Sequence, residues 1–591
     1  MRARASKDGL TVRIIAGTHA VLLAFDLVEV QRTSCLGFSI ERTDVETGDR
    51  RWLPNSLRFA LDANASAATT ARAPLQKFRW GDYTTEPGRL YRYRVVARYG
   101  TPADIIAQGV LAERPGGFDA IPGGVSLELR TEDCRNPATA VFFNRGAAAS
   151  QAYAKKFGDN DPEAIPEALT WLSRGLEEAL VAFIAKAESG DYALHGCIYE
   201  FEKPTPIQAL QHAQARGAEV HIVYHARSGG KTAAENKHAI DSLGVTFTTT
   251  ARTKGSAIMH NKYLVLLRKD AAGKFQPIAV WTGGTNWTDG GIYGQLNVGH
   301  AVYDAAVAKV YEDGFQVLAQ DLSINDTQAK NDELTPPPPT RAEVPHGTTP
   351  LFSPQNGLAM IDLYADICKS AKVLMISAPF ALHPRILDIL DNPTDGAMRF
   401  MLADKQGSYG KPGAIDVLNA DPGNMAAIAT PLQGNQLAKF QERKVTRERS
   451  DPPPPPPPGM PLQESFHHAG IHIHSKIILA DPFGPDPVLV TGSANFSNNS
   501  TVANDSNVLV FRGDTAVADI YVADFMRMFE HYWFRSKEAE KRKAKGMQED
   551  AKEIDTAKAL ALKDTDDWSL EYFTPGTRKE RDRLAFLGLI T

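Results

Sequence analysis

Two stretches of the sequence, about two hundred residues apart, carry the same set of polar side chains. The first set is His260, Lys262, Gly283, Gly284 and Asn286, and the second set is His474, Lys476, Gly492, Ser493 and Asn495. Each histidine stands two positions before its lysine, so both side chains project from one face of a predicted strand. Each asparagine begins the turn after the next strand. Two such stretches facing each other would surround one anion with imidazoles, ammonium groups and amides.

These groups suit the cleavage of a phosphodiester without a metal ion. Lysine and asparagine supply the positive charge and the hydrogen-bond donors that a divalent cation supplies elsewhere. One neutral imidazole can attack phosphorus while the other protonates the leaving oxygen. The second imidazole then acts as the general base for water, which hydrolyses the phosphohistidine. We therefore expect neither a metal nor a cofactor.

The predicted elements must place these two stretches together. Residues 1–125 contain only short strand-like runs, which predict an all-β sandwich. Residues 126–333 and residues 350–535 each alternate helices with strands, which predicts α/β halves with mixed or parallel sheets. Both halves follow the same order and contain one histidine–lysine pair, which indicates an internal duplication. The predicted fold class is therefore α/β, with two fused halves preceded by a β-sandwich.

Three further segments connect or extend these units. Residues 334–349 contain four consecutive prolines and are predicted to be a stiff linker. An insertion at about 404–470 contains a basic stretch at 439–449 and a proline run at 452–458. We interpret the insertion as a solvated loop, with a lid or substrate-binding segment as the alternative. Residues 536–591 are predicted to be a charged C-terminal tail with a solvent-facing helix.

The composition is that of an ordinary globular protein. The chain has 591 residues, of which 43% are hydrophobic, and its net charge is −5. That charge gives no global attraction for nucleic acid or anionic lipid. Four widely spaced cysteines predict a reducing, cytoplasmic location. The apolar run after His19 is interrupted by Asp26 and Glu29, which favours a strand pair over a signal peptide. Because no apolar run reaches ~18 residues, we expect no membrane-spanning helix.

The paired motifs resemble those of the phospholipase D superfamily, whose pattern is H-x-K-x₄-D followed by G-S-x-N. The second stretch fits completely, including Asp481. In the first stretch Leu267 stands at the aspartate position and Gly284 at the serine position. Tyrosyl-DNA phosphodiesterases, which are members of this superfamily, also lack that aspartate. The resemblance covers about residues 130–535 and implies two phospholipase D-like halves. The N-terminal strands loosely resemble a fibronectin type III sandwich.

The resemblance also implies roles for the site residues. His260 would be the nucleophile and His474 the general acid and base, although the more complete second motif leaves the reverse order open. Lys262 and Lys476 would bind the phosphate. The residues expected to bind substrate are Asn286, Asn495, Ser493, Gly492 and Gly284. Asp481 is expected to be structural, fixing the strand and loop near the site.

Members of the superfamily often hold the catalytic histidine with an acidic residue after the asparagine turn. The corresponding segments here are residues 297–299 and 507–509, where Gly299 and Leu509 provide neither a charge nor an acceptor. We therefore assign a supporting role to Asn297 and Asn507. The missing acids also leave open an inactive protein that binds anionic lipid or nucleic acid.

The favoured function is a phosphodiesterase that hydrolyses or transfers phospholipid head groups. The acidic balance of the chain and its lack of a broad basic stripe favour a phospholipid or a small diester. Peripheral contact with a membrane surface would accompany that substrate. The basic stretch at 439–449 instead favours nucleic acid, so a phospholipase D-like nuclease is the second hypothesis.

Overall fold

Four β-sheets organise the chain, two with four strands and two with seven. The computed structural model describes residues 1–62, 68–134, 138–254, 257–392, 396–410, 413–429, 440, 472–544 and 561–590. The proline run at 452–458, and all of the basic stretch at 439–449 except Phe440, lie outside the described residues. Among the residues described, no helix combines the length and apolar character that crossing a membrane requires.

The strands follow one another along the whole chain. They are β1 (Arg2–Lys7), β2 (Leu10–Ala16), β3 (Val21–Leu27), β4 (Cys35–Asp44), β5 (Arg50–Trp52), β6 (Arg79–Asp82), β7 (Leu90–Tyr99), β8 (Val125–Arg130), β9 (Thr139–Phe143), β10 (Tyr192–Ile198), β11 (Glu219–His225), β12 (Thr248–Arg252), β13 (Lys262–Lys269), β14 (Phe275–Gly283), β15 (Val298–Val302), β16 (Gly347–Ser353), β17 (Val373–Ala378), β18 (Met398–Ala403), β19 (Asn424–Ile428), β20 (Ile477–Ala480), β21 (Val488–Gly492) and β22 (Ser506–Arg512).

The helices lie mainly in the two α/β halves. They are α1 (Pro102–Ala112), α2 (Ser150–Phe157), α3 (Pro166–Ser173), α4 (Leu176–Ala185), α5 (Pro204–Ala215), α6 (Lys231–Ser242), α7 (Ala305–Leu318), α8 (Ile324–Leu334), α9 (Ala359–Ser370), α10 (Pro384–Asp391), α11 (Ala414–Ala420), α12 (Asn498–Val502), α13 (Thr515–Ala544), α14 (Leu570–Phe573) and α15 (Arg578–Leu587).

The N-terminal strands form a sandwich of two antiparallel sheets, as predicted. Their strand orders are β1-β2-β3-β6 and β5-β4-β7-β8. Alternate residues of both sheets point into one core, which contains the fully buried rings of Phe25, Phe38 and Tyr93. The burial of this apolar surface stabilises the stacking of the two sheets.

The two seven-stranded sheets have the same topology, and both are mixed, as predicted. The first has the order β12-β11-β10-β13-β14-β15-β9, and the second, read from its other edge, has β19-β18-β17-β20-β21-β22-β16. Across each sheet, in the orders given, the first three strands are parallel to one another and the remaining four pair antiparallel. The inner faces of both sheets share one core with α7 and α13. The outer faces are covered by α4 and α5 in one half and by α9 and α10 in the other.

Two predicted elements differ in the structure. The spacing of apolar residues predicts one amphipathic helix over residues 164–187. The structure divides this segment into α3 and α4, because Arg174 and Gly175 adopt left-handed conformations with φ of 54° and 91°. The insertion predicted at about 404–470 begins with regular structure, since α11 and the buried edge strand β19 belong to the second half. The Asn-Met-Ala-Ala-Ile sequence of β19 has one β-branched residue, so its pattern is weak.

The segment predicted to be a charged tail also contains folded structure. Trp568 is buried in the sandwich core, stacks on Phe78 with 5.3 Å between ring centroids, and donates Nε1–H to the Cys35 carbonyl at 2.8 Å. Phe586 of α15 is 1% exposed. A few buried aromatic side chains thus fix this segment despite its many charges, because each buries a large apolar area. The linker predicted over residues 334–349 overlaps β16, which begins at Gly347.

Candidate functional site

The two histidine–lysine pairs meet where the α/β halves join. The ring centroids of His260 and His474 are 6.4 Å apart, and the two residues are 8% and 4% exposed. Both histidines lie in extended segments just before β13 and β20, not within the strands as predicted. The structure therefore brings together His260 and His474, which the two distant motifs predicted to share a site.

The main chain of each histidine is held by the opposite half. His260 donates its N–H to the Asp505 carbonyl at 2.7 Å, and His474 donates to the Leu296 carbonyl at 3.0 Å. Adjacent β-bridges join Met259 to Asp505 and Ile473 to Leu296. Neither histidine is thus positioned by its own half alone.

The two lysines place positive charge beside the imidazoles. Lys262 and Lys476 are each 1% exposed, and each Nζ donates to the carbonyl of the histidine two residues earlier, at 2.8 Å and 2.7 Å. Lys262 Nζ also lies 4.9 Å from the ring centroid of Tyr199. Two nearly buried ammonium groups at one place favour the binding of an anion.

Burial keeps both imidazoles neutral in the free protein. Desolvation lowers the pKa of His260 and the pKa of His474 well below the ordinary 6.5, and the charges of Lys262 and Lys476 lower both further. Both rings are therefore uncharged at neutral pH. A phosphate anion between the lysines would offset their charges, so its binding would raise the pKa of each histidine.

An amide takes the place of the expected acid beside His474. Asn297 Oδ1 lies 3.0 Å from His474 Nδ1. The amide orientation is set by its nitrogen, which donates to the Gly291 carbonyl at 2.8 Å and to Gln295 Oε1 at 3.2 Å. His474 Nδ1 therefore carries the proton, and Nε2 is the nitrogen left for chemistry. The motif alignment implied that the residue contacting the imidazole stands at position 299. In the structure that residue is Asn297.

The other histidine has no such partner. His260 Nδ1 makes no hydrogen bond with any residue that the structure describes. Asn507 corresponds to Asn297 but turns away, because its Oδ1 accepts from Thr282 at 2.8 Å and Tyr311 at 3.0 Å. Its Nδ2 donates to Asn261 Oδ1 at 2.7 Å. The two halves therefore hold their histidines differently.

The two motif asparagines have unused amide oxygens. Asn286 and Asn495 are 3% and 8% exposed, and the side-chain oxygen of each makes no hydrogen bond with a described residue. A buried amide oxygen without a partner is costly, so a ligand that donated a hydrogen bond to it would be stabilised there. Both amides lie at the turn that sequence reasoning assigned, and their contact with a substrate stays a prediction.

The remaining motif residues shape the turns. Gly492 has φ of 152°, and a Cβ there would lie 2.4 Å from the Asn507 carbonyl oxygen, so only glycine fits. Ser493 Oγ accepts from Asn507 N–H at 3.0 Å and so holds the turn, while its contact with a substrate stays a prediction. A Cβ at Gly284 would lie 3.5 Å from Asn297 Oδ1, so Gly284 packs against the group that holds His474.

Asp481 is structural, but it lies away from the site. Its Oδ1 accepts from the main-chain N–H groups of Lys372 and Val373 at 2.8 and 2.9 Å, and its Oδ2 pairs with Arg341 at 2.6 Å. The residue follows β20, whereas His474 precedes it, so the separation is roughly 20 Å. Asp481 therefore fixes the far end of the strand.

Sequence reasoning missed several residues around the site. The Tyr199 ring lies between His260 and His225, with centroid separations of 5.2 and 5.3 Å. Tyr199 and His225 stand at the carboxyl ends of β10 and β11, which is where open α/β sheets bind ligands, so their position was the available signal. Within the described ranges, no group of three or more histidine, cysteine or acidic side chains is arranged to hold a metal ion.

A buried ion pair supports the main chain at His260. Arg252 is 1% exposed and Asp505 is fully buried, and Arg252 Nε lies 3.0 Å from Asp505 Oδ2. Arg252 also donates to the Leu322 carbonyl at 2.6 Å. Because the Asp505 carbonyl holds His260, this pair links the end of β12 to the site.

Comparison with known proteins gives a partial match in sequence. Residues 180–319 match the family model described as "Cardiolipin synthase, PLD-like domain". The matched segment contains the first histidine–lysine pair, Asn286 and Asn297, and it ends before the second pair. None of the curated proteins matches the chain.

Several solved structures are similar to parts of the chain. Polyphosphate kinase from Porphyromonas gingivalis has 10% identity and a TM-score of 0.36, over 56% of this chain and 42% of that one. The chain thus spans less than half the length of this kinase. Phosphatidylserine synthase from Haemophilus influenzae has 12% identity and a TM-score of 0.37, over 63% and 92% of the respective chains. Nuc from Salmonella typhimurium, a phospholipase D family member, has 20% identity and a TM-score of 0.20, over 24% and 86%. By its family-model match, the segment 180–319 is similar to a phospholipase D-like domain.

Proposed function

We propose that the protein is a metal-independent phosphodiesterase of the phospholipase D superfamily. The observation that carries this proposal is the facing pair His260 and His474, with 6.4 Å between ring centroids and one buried lysine beside each. Two imidazoles at this separation can lie on opposite sides of one phosphorus atom. The lysines and the amide nitrogens of Asn286 and Asn495 would bind the phosphate oxygens.

In the proposed mechanism His260 is the nucleophile. Its ring forms a bond to phosphorus while the bond to the leaving oxygen breaks, and His474 gives a proton to that oxygen. Water then attacks the phosphohistidine, His474 takes the proton from water, and the nitrogen–phosphorus bond breaks. An alcohol as acceptor in place of water would give head-group transfer.

The contacts of the two imidazoles support this order of roles. Asn297 Oδ1 accepts from His474 Nδ1 and would stabilise the protonated ring, which suits the group that must donate a proton. His260 Nδ1 has no acceptor among the described residues, so no side chain stabilises its charged form as Asn297 does for His474. A ring that stays neutral suits the nucleophile.

We propose a phospholipid as the substrate. The net charge of −5 and the description of the matched family model as cardiolipin synthase support this choice. Peripheral contact with a membrane follows from it. The four cysteines are free, which supports a reducing, cytoplasmic location. The N-terminal sandwich is proposed to be a fibronectin type III-like docking module, which its two facing antiparallel sheets support.

The domain limits remain those proposed from the sequence, with an N-terminal module over 1–125 and α/β halves over 126–333 and 350–535. The regular structure at 414–428 supports counting those residues with the second half and not with its insertion, and the regular structure at 566–587 supports tying the C-terminal segment to the sandwich.

Turnover in excess EDTA tests the proposal on two substrates, phosphatidylcholine vesicles and labelled single-stranded DNA. We expect EDTA-resistant cleavage of the vesicles, loss of turnover in His260→Ala and His474→Ala, and full activity in the control His238→Ala, which changes an exposed histidine of α6. A covalent phosphoryl adduct should accumulate in His474→Ala and be absent from His260→Ala. Cleavage of DNA alone would support the nuclease alternative, and binding without turnover of either substrate would support the inactive alternative.

A further inference from the structure

A cavity of about 360 Å³ lies where the N-terminal sandwich, the first α/β half and α13 meet. None of its lining residues belongs to the histidine–lysine site. Three arginines line it, namely Arg145, Arg174 and Arg527, together with the aromatic side chains of Tyr83, Trp171 and Phe534. Phe534 is 50% exposed, so the cavity is open to solvent on the side of α13.

The positive charge of this cavity is only partly balanced. Asp524 pairs with Arg174 at 2.6 Å and with Arg527 at 2.9 Å. The acid that lines the cavity, Glu530, is already held by an ion pair with Arg79 and by the Tyr83 hydroxyl at 2.7 Å. The Asp524 carboxylate thus pairs with two of the lining arginines. The Glu530 carboxylate pairs with Arg79, which does not line the cavity.

Arg145 is the cation left without an ion pair among the described residues. It donates to the Trp171 carbonyl at 2.8 Å, and its guanidinium lies 4.4 Å from the Trp171 ring centroid. Burial lowers the pKa of Arg145 to about 9, and the charges of Arg174 and Arg527 contribute, while Glu86 and Asp524 offset this in part. A partly buried cation without a counter-ion is costly, and a bound anion would remove that cost.

We propose that this cavity binds a phosphomonoester group, with Arg145 as the principal contact. The guanidinium fork matches the oxygens of a phosphate in a two-point contact. The aromatic side chains at the same place suit the carbon part of the ligand. A soluble sugar or glycerol phosphate and the head group of phosphatidic acid share this chemistry.

The cavity also adjoins the support of His474. Arg527 Nη2 donates to the Asn144 carbonyl at 2.9 Å, and Asn144 Oδ1 accepts from the Asn297 main-chain N–H at 3.0 Å. Asn297 in turn holds His474. Two residues therefore connect the cavity to the proposed general acid, and this connection, unlike the binding itself, rests on the proposed function.

Titration with glycerol 3-phosphate tests the binding independently of turnover. The Lys262→Met/Lys476→Met variant removes phosphate binding at the histidine–lysine site. We expect this variant to bind one equivalent of glycerol 3-phosphate, with the affinity that the cavity has in the wild-type protein. Adding Arg145→Gln should weaken that binding at least tenfold. A matched pair at the exposed rim, Ala152→Glu and Ala152→Gln, avoids changing a buried residue. The glutamate should weaken binding and the glutamine should not, because only the glutamate adds a negative charge.

Sedimentation with phosphatidic acid vesicles distinguishes the two sources of the group. Binding that depends on Arg145 in the titration assigns a soluble ligand, and dependence in the vesicle assay alone assigns the lipid head group. Equal binding by the glutamate and glutamine variants in both assays, or no binding in either assay once both lysines are replaced, would overturn the proposal. A wild-type protein that binds at the cavity but turns over neither substrate would count against the proposed function alone.

Discussion

The hydrogen bond between Asn297 and His474 can be tested by replacing the amide with Asn297→Ala. The change removes the acceptor that lies 3.0 Å from His474 Nδ1 and leaves a buried N–H without a partner. A hydrogen bond to a charged group contributes about 1.5–3 kcal/mol. At about 1.4 kcal/mol per pKa unit, the pKa of His474 should fall by about 1–2 units. We expect about a 10- to 100-fold loss of kcat/KM.

The direction of the pH effect follows from the role of the proton. Asn297 stabilises the protonated form of His474, so its removal lowers the pKa of that ring. Activity that needs the protonated acid is lost as pH rises through this pKa. The alkaline limb of the kcat profile should therefore move to lower pH by about 1–2 units.

Two substrates with different leaving groups separate general-acid catalysis from general damage. An alkyl diester needs a proton on its leaving oxygen, whereas a p-nitrophenyl diester does not. Asn297→Ala should slow the alkyl ester about 10- to 100-fold and the aryl ester much less. Asn392→Ala, at an exposed asparagine, serves as the control. Equal losses on both esters would refute the assignment of His474 as the acid that Asn297 supports.

An aspartate in place of Asn297 should not support activity as the asparagine does. In Asn297→Asp a carboxylate oxygen would replace the amide nitrogen that donates to the Gly291 carbonyl at 2.8 Å and to Gln295 Oε1 at 3.2 Å. Facing oxygens repel, so the carboxylate cannot take the position of the amide without a cost. We expect this variant to be less active and less stable than the wild-type protein in the same assays. An Asn297→Asp protein with wild-type activity and stability would contradict this.

Three further expectations follow from the charges at the site. Binding of inorganic phosphate should take up protons, because it raises the pKa of His260 and His474; calorimetry in two buffers of different ionisation enthalpy measures the uptake, and its absence would contradict the proposed electrostatics. Lys476→Met should lower kcat by about 10²–10³-fold through loss of a phosphate contact, and an effect under tenfold would exclude Lys476 from that role. Asp505→Ala should lower the free energy of unfolding by at most about 3–5 kcal/mol, because Arg252 stays buried and keeps only its ion pair with Asp321 at 3.3 Å. Chemical denaturation measures this loss. A loss no larger than that of a surface variant would contradict a stabilising role for the ion pair.

Much of the site could be predicted because its residues occur in short, regular motifs. The alternation of histidine and lysine, and the glycines before each asparagine, are local patterns that need no knowledge of the fold. The contact between Asn297 and His474 could not be predicted in this way, since it joins residues 177 positions apart in opposite halves. Asn507 occupies the matching position and yet points elsewhere, because Thr282 and Tyr311 bind its oxygen.

The fold shows the same limits of local pattern. The valines and isoleucine of β11 predict a strand over Glu219–His225, and the structure has the same bounds. The C-terminal segment was predicted to be a tail because its composition is charged, and composition is an average. Trp568 and Tyr572 both pack in the sandwich core, and Trp568 makes a 2.8 Å hydrogen bond to the Cys35 carbonyl. A few large aromatic side chains thus fix a segment whose average composition is charged.

The crossed hydrogen bonds at the two histidines make activity a measure of whether the halves are joined. Each histidine takes its main-chain partner from the other half, so one half alone holds neither His260 nor His474 in place. Cutting the chain at residues 336–340 would therefore leave two inactive pieces. When mixed, these pieces would gain turnover in proportion to the fraction that has reassociated. Turnover would then report the assembly of the two halves, with no added label.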